Sequence, residues 1–190
     1  MKIGIDLDGV VFNTEEMFRA CAEVYDLSFG GSGPTHSEEM KINRRYAWKE
    51  NDFREFYLDN LFTILEKAPL VPFAKEVIDM LTNEGHEVFF VTSRSLPKEK
   101  EITDQRLREE NFNYPVYFST GDKFNTCKDL QIDVMIDDYY EYIDALSKEG
   151  IYCIQLTPPP LKEVHNKNVT ICRNWGEVYR AIQNYSKNIK

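Results

Sequence analysis

Acidic and hydroxyl side chains follow three short apolar runs of the sequence, at the points where strands would end. They are Asp6 and Asp8 after the first run, Thr92 and Ser93 after the second, and Asp137 and Asp138 after a later one. Because the carboxyl ends of parallel strands open onto one crevice, these groups are expected to converge there. Clustered carboxylates repel one another unless a cation neutralises them, and oxygen ligands suit Mg²⁺. The spacing therefore predicts a magnesium site at one edge of a sheet.

Each of these residues also has a purely structural interpretation. An aspartate at a strand end commonly caps the next helix or closes a turn, and Thr92 and Ser93 could do the same. Lys123, in Gly121-Asp122-Lys123, would ordinarily be a solvated loop lysine. The combination favours a site, because Asp-Leu-Asp-Gly comes first, Thr-Ser second, a lysine third and Asp-Asp last.

Apolar periodicity predicts the elements that position these residues. Strands are expected at residues 2–5, 86–91, 115–118, 133–136, 151–156 and 169–172, and helices at 73–83, 98–111, 142–148 and 175–184. Strands that alternate with helices are typical of a parallel, doubly wound α/β sheet. Residues 13–70 break this rhythm with helix formers and aromatic side chains. This stretch is predicted to be a helical insertion that covers the sheet.

Composition narrows the class of protein. The chain has 190 residues, with 32 acidic and 23 basic side chains and a net charge of −9. This balance argues against a nucleic-acid polymer as partner, because phosphate backbones bind basic surfaces. Apolar runs fall short of the roughly 20 residues of a membrane span, and MKIGIDLDGV lacks the apolar stretch of a signal peptide. We therefore expect a cytoplasmic protein without a membrane partner, and a homodimer is compatible with the sequence.

The cysteines give a further expectation about compartment and chemistry. The chain has four, at positions 21, 127, 153 and 172, and they form no CxxC pair. This spacing argues against a zinc site and against a disulfide scaffold. We expect all of them to be small, reduced core residues.

Four motifs carry a resemblance to a known family. The segments DLDGVV, VTSRS, GDK and MIDDY resemble the motifs of the haloacid dehalogenase (HAD) superfamily of phosphatases. Within it the chain is most similar to the 5′(3′)-deoxyribonucleotidase-like branch. The resemblance implies a HAD-like Rossmannoid parallel sheet with a small helical cap inserted after the first strand. Residues 1–12 and 71–190 would then form the phosphatase core, and residues 13–70 the cap.

The resemblance also implies catalytic roles. Asp6 would be the nucleophile that forms an aspartyl-phosphate, and Asp8 the general acid and base. Thr92 would donate its hydroxyl to a phosphoryl oxygen, and Lys123 would neutralise Asp6 and the transferred group. Lys128 is a second candidate for the third motif. Lys123 is favoured because it directly follows the third predicted strand, whereas Lys128 is expected on the next helix.

Metal and substrate contacts are implied in the same way. Magnesium would be held by Asp6, Asp137 and the main-chain carbonyl of Asp8, with Asp138 holding metal-bound water. The expected substrate-binding residues are Ser93, Arg94, Phe12 and Asn13. In the cap, basic and aromatic side chains could hold a nucleobase and a sugar phosphate. They are Lys41, Arg44, Arg45, Lys49, Arg54, Tyr46, Trp48 and Phe53; alternatively, the aromatic ones form the core of the cap.

Three functions remain open at this point. The first is a Mg²⁺-dependent phosphomonoester hydrolase acting on (deoxy)nucleoside monophosphates as a 5′-nucleotidase. The second is the same chemistry on another small phosphate, such as a sugar phosphate or phosphoglycolate. The third is a weakly active protein that binds phosphorylated metabolites, although such a binder would not need Asp8. A signalling receiver domain is disfavoured, because its paired acidic residues come on the first strand and its phosphorylated aspartate on a middle one.

Overall fold

The computed structural model describes residues 1–188 and contains one six-stranded sheet. Its strands are β1 (Lys2–Ile5), β2 (Glu87–Thr92), β3 (Val116–Phe118), β4 (Val134–Asp137), β5 (Tyr152–Leu156) and β6 (Val169–Cys172). They lie in the order β3-β2-β1-β4-β5-β6, and every neighbouring pair is parallel. The central strands are almost continuously apolar because helices cover both faces of such a sheet. The predicted doubly wound α/β fold is confirmed.

Eight helices accompany the sheet in the described part of the chain. They are α1 (Thr14–Ser28), α2 (Ile42–Arg45), α3 (Glu50–Lys67), α4 (Ala74–Asn83), α5 (Pro97–Glu109), α6 (Lys123–Leu130), α7 (Tyr140–Lys148) and α8 (Trp175–Asn188). Helices α4 and α8 pack with the residues on one face of the sheet, and α6 and α7 with those on the other. Successive strand residues alternate between these layers. In β4, Val134 and Ile136 join the first layer and Met135 the second.

The cysteines agree with a role in packing. All four are free, and Cys127, Cys153 and Cys172 are buried. Burial raises the pKa of the Cys127 and Cys172 thiols to about 12, so both stay protonated near neutral pH. Among residues 1–188, no helix is both long enough and apolar enough to cross a membrane.

Helices α1 to α3 form the helical insertion between β1 and α4, and they have an apolar cluster of their own. Tyr46 and Trp48 stack at 4.5 Å between ring centroids, and Phe56 packs against Trp48 at 5.3 Å. Tyr46 is only 3% exposed. The aromatic residues Tyr46, Trp48 and Phe53 therefore pack within the insertion, which matches the second of the two interpretations given above.

Candidate active site

The strand order places the polar strand ends at a topological switch point. Strands β1 and β4 are adjacent, and the chain leaves them in opposite directions across the sheet. In open α/β sheets, ligands bind at this position, outside the carboxyl ends of the strands. Asp6 directly follows β1 and Asp137 ends β4, with the Asp6 N–H donating to the Ile136 carbonyl at 2.9 Å. Two of the predicted carboxylates therefore lie side by side at the crevice.

Lys123 bridges these two carboxylates. Its Nζ lies 2.9 Å from Asp6 Oδ1 and 2.6 Å from Asp137 Oδ2, and its side chain is 1% exposed. It is the first residue of α6, whose start is capped by the Asp122 carboxylate accepting from the Asn125 N–H at 3.0 Å. Burial alone would lower the Lys123 pKa, but the two carboxylates outweigh burial and raise it. Lys128, the alternative, is exposed.

Asp6, Asp137 and Asp138 form a group of carboxylates that could hold a metal ion. One oxygen from each lies within 4.8 Å of the others, and all three residues are buried. Burial raises the pKa of Asp6 to about 7, aided by Asp137 and opposed by Lys123. Burial, together with the charges of Asp137 and Asp6, raises the pKa of Asp138 well above its usual value. One lysine cannot neutralise three carboxylates, so the group has room for a further positive charge. Its donors are all oxygen atoms, which fits Mg²⁺.

The turn after β1 leaves no room for a side chain at Gly9. Its φ is +73°, a conformation that L residues rarely adopt. A Cβ at this position would lie 1.8 Å from Asp138 Oδ2. The Gly9 N–H donates to the Phe12 carbonyl at 2.8 Å, which closes the turn. Glycine is therefore required here by the carboxylate opposite.

Asp8 is held apart from the metal-binding group by Arg94. Arg94 Nη2 donates to Asp8 Oδ1 at 2.7 Å, and Arg94 Nε donates to Asp8 Oδ2 at 3.0 Å. Burial raises the pKa of Asp8, but the guanidinium outweighs burial and holds this pKa below its usual value. The Asp8 carboxylate is consequently not among the three that could share a metal ion.

A cavity of about 300 Å³ lies above these groups. It is lined by Asp6, Asp8, Thr14, Glu15, Phe18, Met40, Lys41, Ile42, Tyr57, Ser93, Lys123, Asp138, Tyr139 and Tyr142. Among the predicted catalytic residues, Asp6, Asp8 and Lys123 thus reach the cavity. Thr92 is fully buried, and its Oγ1 accepts from the Arg94 N–H at 3.3 Å. Its contact with a phosphoryl oxygen stays a prediction.

Three of the expected substrate-binding residues do not reach this cavity. Phe12 is 1% exposed and packs in the main core, because the turn at Gly9 directs it inward. Asn13 lines a second cavity, of about 380 Å³, and its side-chain amide donates to Glu16. Arg94 is 4% exposed and bound to Asp8. Ser93 is the predicted substrate-binding residue that lines the first cavity.

The chain is similar to known proteins in both sequence and fold. No family model matches the chain. A nucleotidase of Clostridium acetobutylicum is 26% identical over 187 residues, which span 96% of this chain and 93% of that protein. A HAD family hydrolase from Deinococcus radiodurans R1, solved with bound phosphate and sodium, superimposes with a TM-score of 0.67 and 12% identity. That match covers 96% of this chain and 95% of the other.

A haloacid dehalogenase-like protein from Agrobacterium tumefaciens also matches, with a TM-score of 0.67, 14% identity and coverage of 97% and 98% of the two chains. The chain has the haloacid dehalogenase fold. The fold that the four sequence motifs implied is therefore confirmed. In this fold, Asp6, Lys123 and Asp137 meet although they lie far apart in the sequence.

Ion pairs connect the helical insertion of this haloacid dehalogenase fold to its core beside the cavity. Arg44 pairs with Glu141, and Lys41 Nζ lies 3.5 Å from Glu141 Oε2. Lys162 pairs with Glu39 in the same region. Each of these pairs is partly exposed, so each contributes little alone. Together they place residues 39–44 over the cavity.

Arg45 has a different role from the predicted one. Its side chain is 1% exposed and pairs with Glu15. It also donates to the carbonyls of Glu39 at 2.6 Å and Met40 at 3.0 Å. Arg45 thus shapes the loop that carries Met40 and Lys41 into the cavity.

Sequence reasoning did not identify several cavity residues. Tyr142 accepts a hydrogen bond from Ser93 Oγ at 3.1 Å, and its ring centroid lies 4.7 Å from Lys123 Nζ. Its position four residues after Asp138, in the first turn of α7, could have indicated this. Phe18 and Tyr57 carry no such signal, because the face that α1 and α3 turn to the cavity depends on how the insertion packs.

Proposed function

We propose that this protein is a phosphatase of the haloacid dehalogenase type that acts on nucleoside monophosphates. The observation that carries the proposal is Lys123 between Asp6 and Asp137 beneath a cavity that Asp8 also lines. A nucleophilic carboxylate, a neutralising cation and a separate acid–base group are what phosphoryl transfer through a covalent enzyme intermediate requires. The names of the relatives support the same reaction class.

In the first step, an Asp6 oxygen attacks phosphorus in line with the leaving oxygen. The bond from phosphorus to the leaving oxygen breaks, and Asp8, as the carboxylic acid, gives its proton to that oxygen. An aspartyl-phosphate on Asp6 results. Lys123 lies within hydrogen-bonding distance of Asp6, so it favours the ionised form of the nucleophile and offsets charge on the transferred group.

In the second step, water attacks the phosphorus of the aspartyl-phosphate. Asp8, now a carboxylate, takes a proton from this water, and the bond between phosphorus and the Asp6 oxygen breaks. Inorganic phosphate leaves, and Asp6 and Asp8 return to their starting states. The Arg94 guanidinium lowers the pKa of Asp8 and so favours its carboxylate form, which is the form that this second step needs.

Magnesium is part of the proposal. Asp6, Asp137 and the Asp8 carbonyl would hold it, with Asp138 binding its water. When bound, it supplies positive charge that favours the approach of an anionic phosphate to clustered carboxylates. The donor set fits, because the three carboxylates are buried and burial raises the pKa of Asp6 and Asp138. Among the described residues, Lys123 is the one cation that pairs with this group.

Residues 13–70 act as the cap that selects the substrate. The insertion contributes four apolar or aromatic side chains to the cavity wall, Phe18, Met40, Ile42 and Tyr57, beside three polar ones, Thr14, Glu15 and Lys41. A sugar phosphate has several hydroxyl groups that lose water on binding and need polar partners. A planar base gains from contact with apolar and aromatic side chains. The wall therefore favours a nucleoside over a sugar as the leaving group.

Phosphate release from a panel of esters tests this function. With Mg²⁺, we expect kcat/KM for nucleoside monophosphates to exceed that for sugar phosphates by about tenfold or more. EDTA is expected to reduce the rate at least about 100-fold, and added Mg²⁺ to restore it. A preference for sugar phosphates would contradict the cap assignment. Activity that is indifferent to EDTA would contradict the metal assignment.

Magnesium is also expected to stabilise the fold more at about pH 8 than at about pH 5. In the metal-free protein the raised pKa of Asp6, about 7, means that protonation stabilises the fold at low pH. This contribution is complete below the ordinary aspartate pKa and is lost as the pH rises through about 7. A cation can replace the protons at pH 8, adding about 2.7 kcal/mol at 100 times its Kd.

Thermal unfolding with Mg²⁺ or EDTA at the two pH values measures this effect. Asp137→Asn should remove most of the magnesium-dependent shift in Tm. Asp133→Asn, at the opposite end of β4, should keep it, because the Asp133 carboxylate is exposed and accepts from the Lys2 N–H. Equal shifts at both pH values would show that the buried carboxylates do not bind the ion.

A further inference from the structure

Arg94 is a buried arginine, and each of its three guanidinium nitrogens donates a hydrogen bond inside the protein. Its side chain is 3% exposed. Nε and Nη2 donate to the two oxygens of Asp8, while Nη1 donates to Thr103 Oγ1 at 2.9 Å. Thr103, on α5, in turn donates to the Glu99 carbonyl at 2.7 Å. Arg94 does not line the 300 Å³ cavity, so it acts on that cavity through Asp8.

The paired hydrogen bonds set the orientation of Asp8. Two parallel N–H donors fix the plane of a carboxylate, which a single point charge cannot do. The Asp8 side chain remains 35% exposed and lines the cavity. Arg94, itself anchored by Thr103, thus fixes the position of the Asp8 carboxylate. The part of Asp8 that faces the cavity is open to a ligand.

We propose that Arg94 is a positioning residue that orients the Asp8 carboxyl group toward the leaving-group oxygen. This inference rests on the proposed function, since it assigns a second residue to the proton transfer at that site. The two donors hold both oxygens of the Asp8 carboxylate, so the group that takes a proton from water in the second step has a fixed orientation. Arg94 therefore contributes to rate and not to substrate affinity.

Arg94→Lys tests the proposal, because it keeps the positive charge and removes the bidentate hydrogen bond to Asp8. The assay compares single-turnover rates for an alkyl phosphate ester that the wild type hydrolyses and for p-nitrophenyl phosphate. Nitrophenolate leaves without needing a proton, so its release should change less than about threefold. Release of the alkyl leaving group should fall about 100-fold, with KM changed less than about twofold.

Two further variants keep the test decisive. Thr103→Val removes the hydrogen bond that anchors Nη1 and should produce the same pattern with a smaller loss, which covers the case in which Arg94→Lys does not fold. Asp8→Asn combined with Arg94→Lys should be no slower than Asp8→Asn alone, because both changes act on one proton transfer.

Equal losses on the two esters, a large rise in KM, or additive losses in the double variant would overturn the positioning role while leaving the proposed function intact. A wild-type protein that hydrolyses neither ester would overturn the proposed function, and this inference with it.

Discussion

Asp6→Asn is expected to reduce turnover by about 10⁴-fold or more. The amide cannot form the aspartyl-phosphate, and two neighbouring carboxylates are engaged elsewhere: Asp137 is fully buried against Lys123, and Asp8 is bound to Arg94. The fold should survive, because Lys123 keeps Asp137 as a partner at 2.6 Å. Phosphate release with Mg²⁺, together with circular dichroism to confirm the fold, measures both expectations.

Asp133→Asn is the matched control for this prediction. It makes the same chemical change at the amino end of β4, where the carboxylate accepts from the Lys2 N–H at 2.8 Å outside the cavity. Its activity should stay within about twofold of the wild type, since substitutions at exposed positions have small effects. More than a trace of activity in Asp6→Asn would mean that another group attacks phosphorus.

Lys123→Met is expected to reduce both activity and stability. Without the ammonium group, Asp6 and Asp137 remain buried as uncompensated like charges. Breaking a buried ion pair in this way lowers the free energy of unfolding by about 3–5 kcal/mol. Turnover should fall about 10³-fold, because charge on the transferred phosphoryl group loses its neighbouring cation.

Urea unfolding at neutral pH, with and without Mg²⁺, measures this second prediction. The loss of stability should shrink when Mg²⁺ is added or when the pH is lowered, because a cation or protons then neutralise the carboxylates. Lys128→Met, on the exposed side of α6, should change the free energy of unfolding by less than about 0.5 kcal/mol. The opposite ranking of the two lysines would mean that Lys128 is the lysine of the third motif.

Much of the core could be predicted from the sequence because its signals are local. The apolar runs predict the strands, and the second one, expected at residues 86–91, is observed at Glu87–Thr92. The strand-end rule then brings Asp6 and Asp137 together, since parallel strands point the same way. The helix expected at 73–83 is found at Ala74–Asn83, where the apolar spacing and the following Gly85 set its limits.

The walls of the site could not be predicted in the same way. Phe12 and Arg94 follow or adjoin motif residues in the sequence, but the chain turns both side chains into the interior. Phe18 and Tyr57 reach the cavity from helices whose orientation depends on the packing of the insertion. Sequence neighbours indicate where a residue is, and only the packing around it determines which way it faces.

Position 9 ties together two segments that lie 129 residues apart in the chain. The space that a side chain at Gly9 would need is already taken by a carboxylate oxygen of Asp138. During evolution, a residue with a side chain could therefore replace Gly9 only after Asp138 had been replaced. Descendants that keep the acidic pair should keep the glycine, and even those that lose the aspartate still meet the positive φ at position 9.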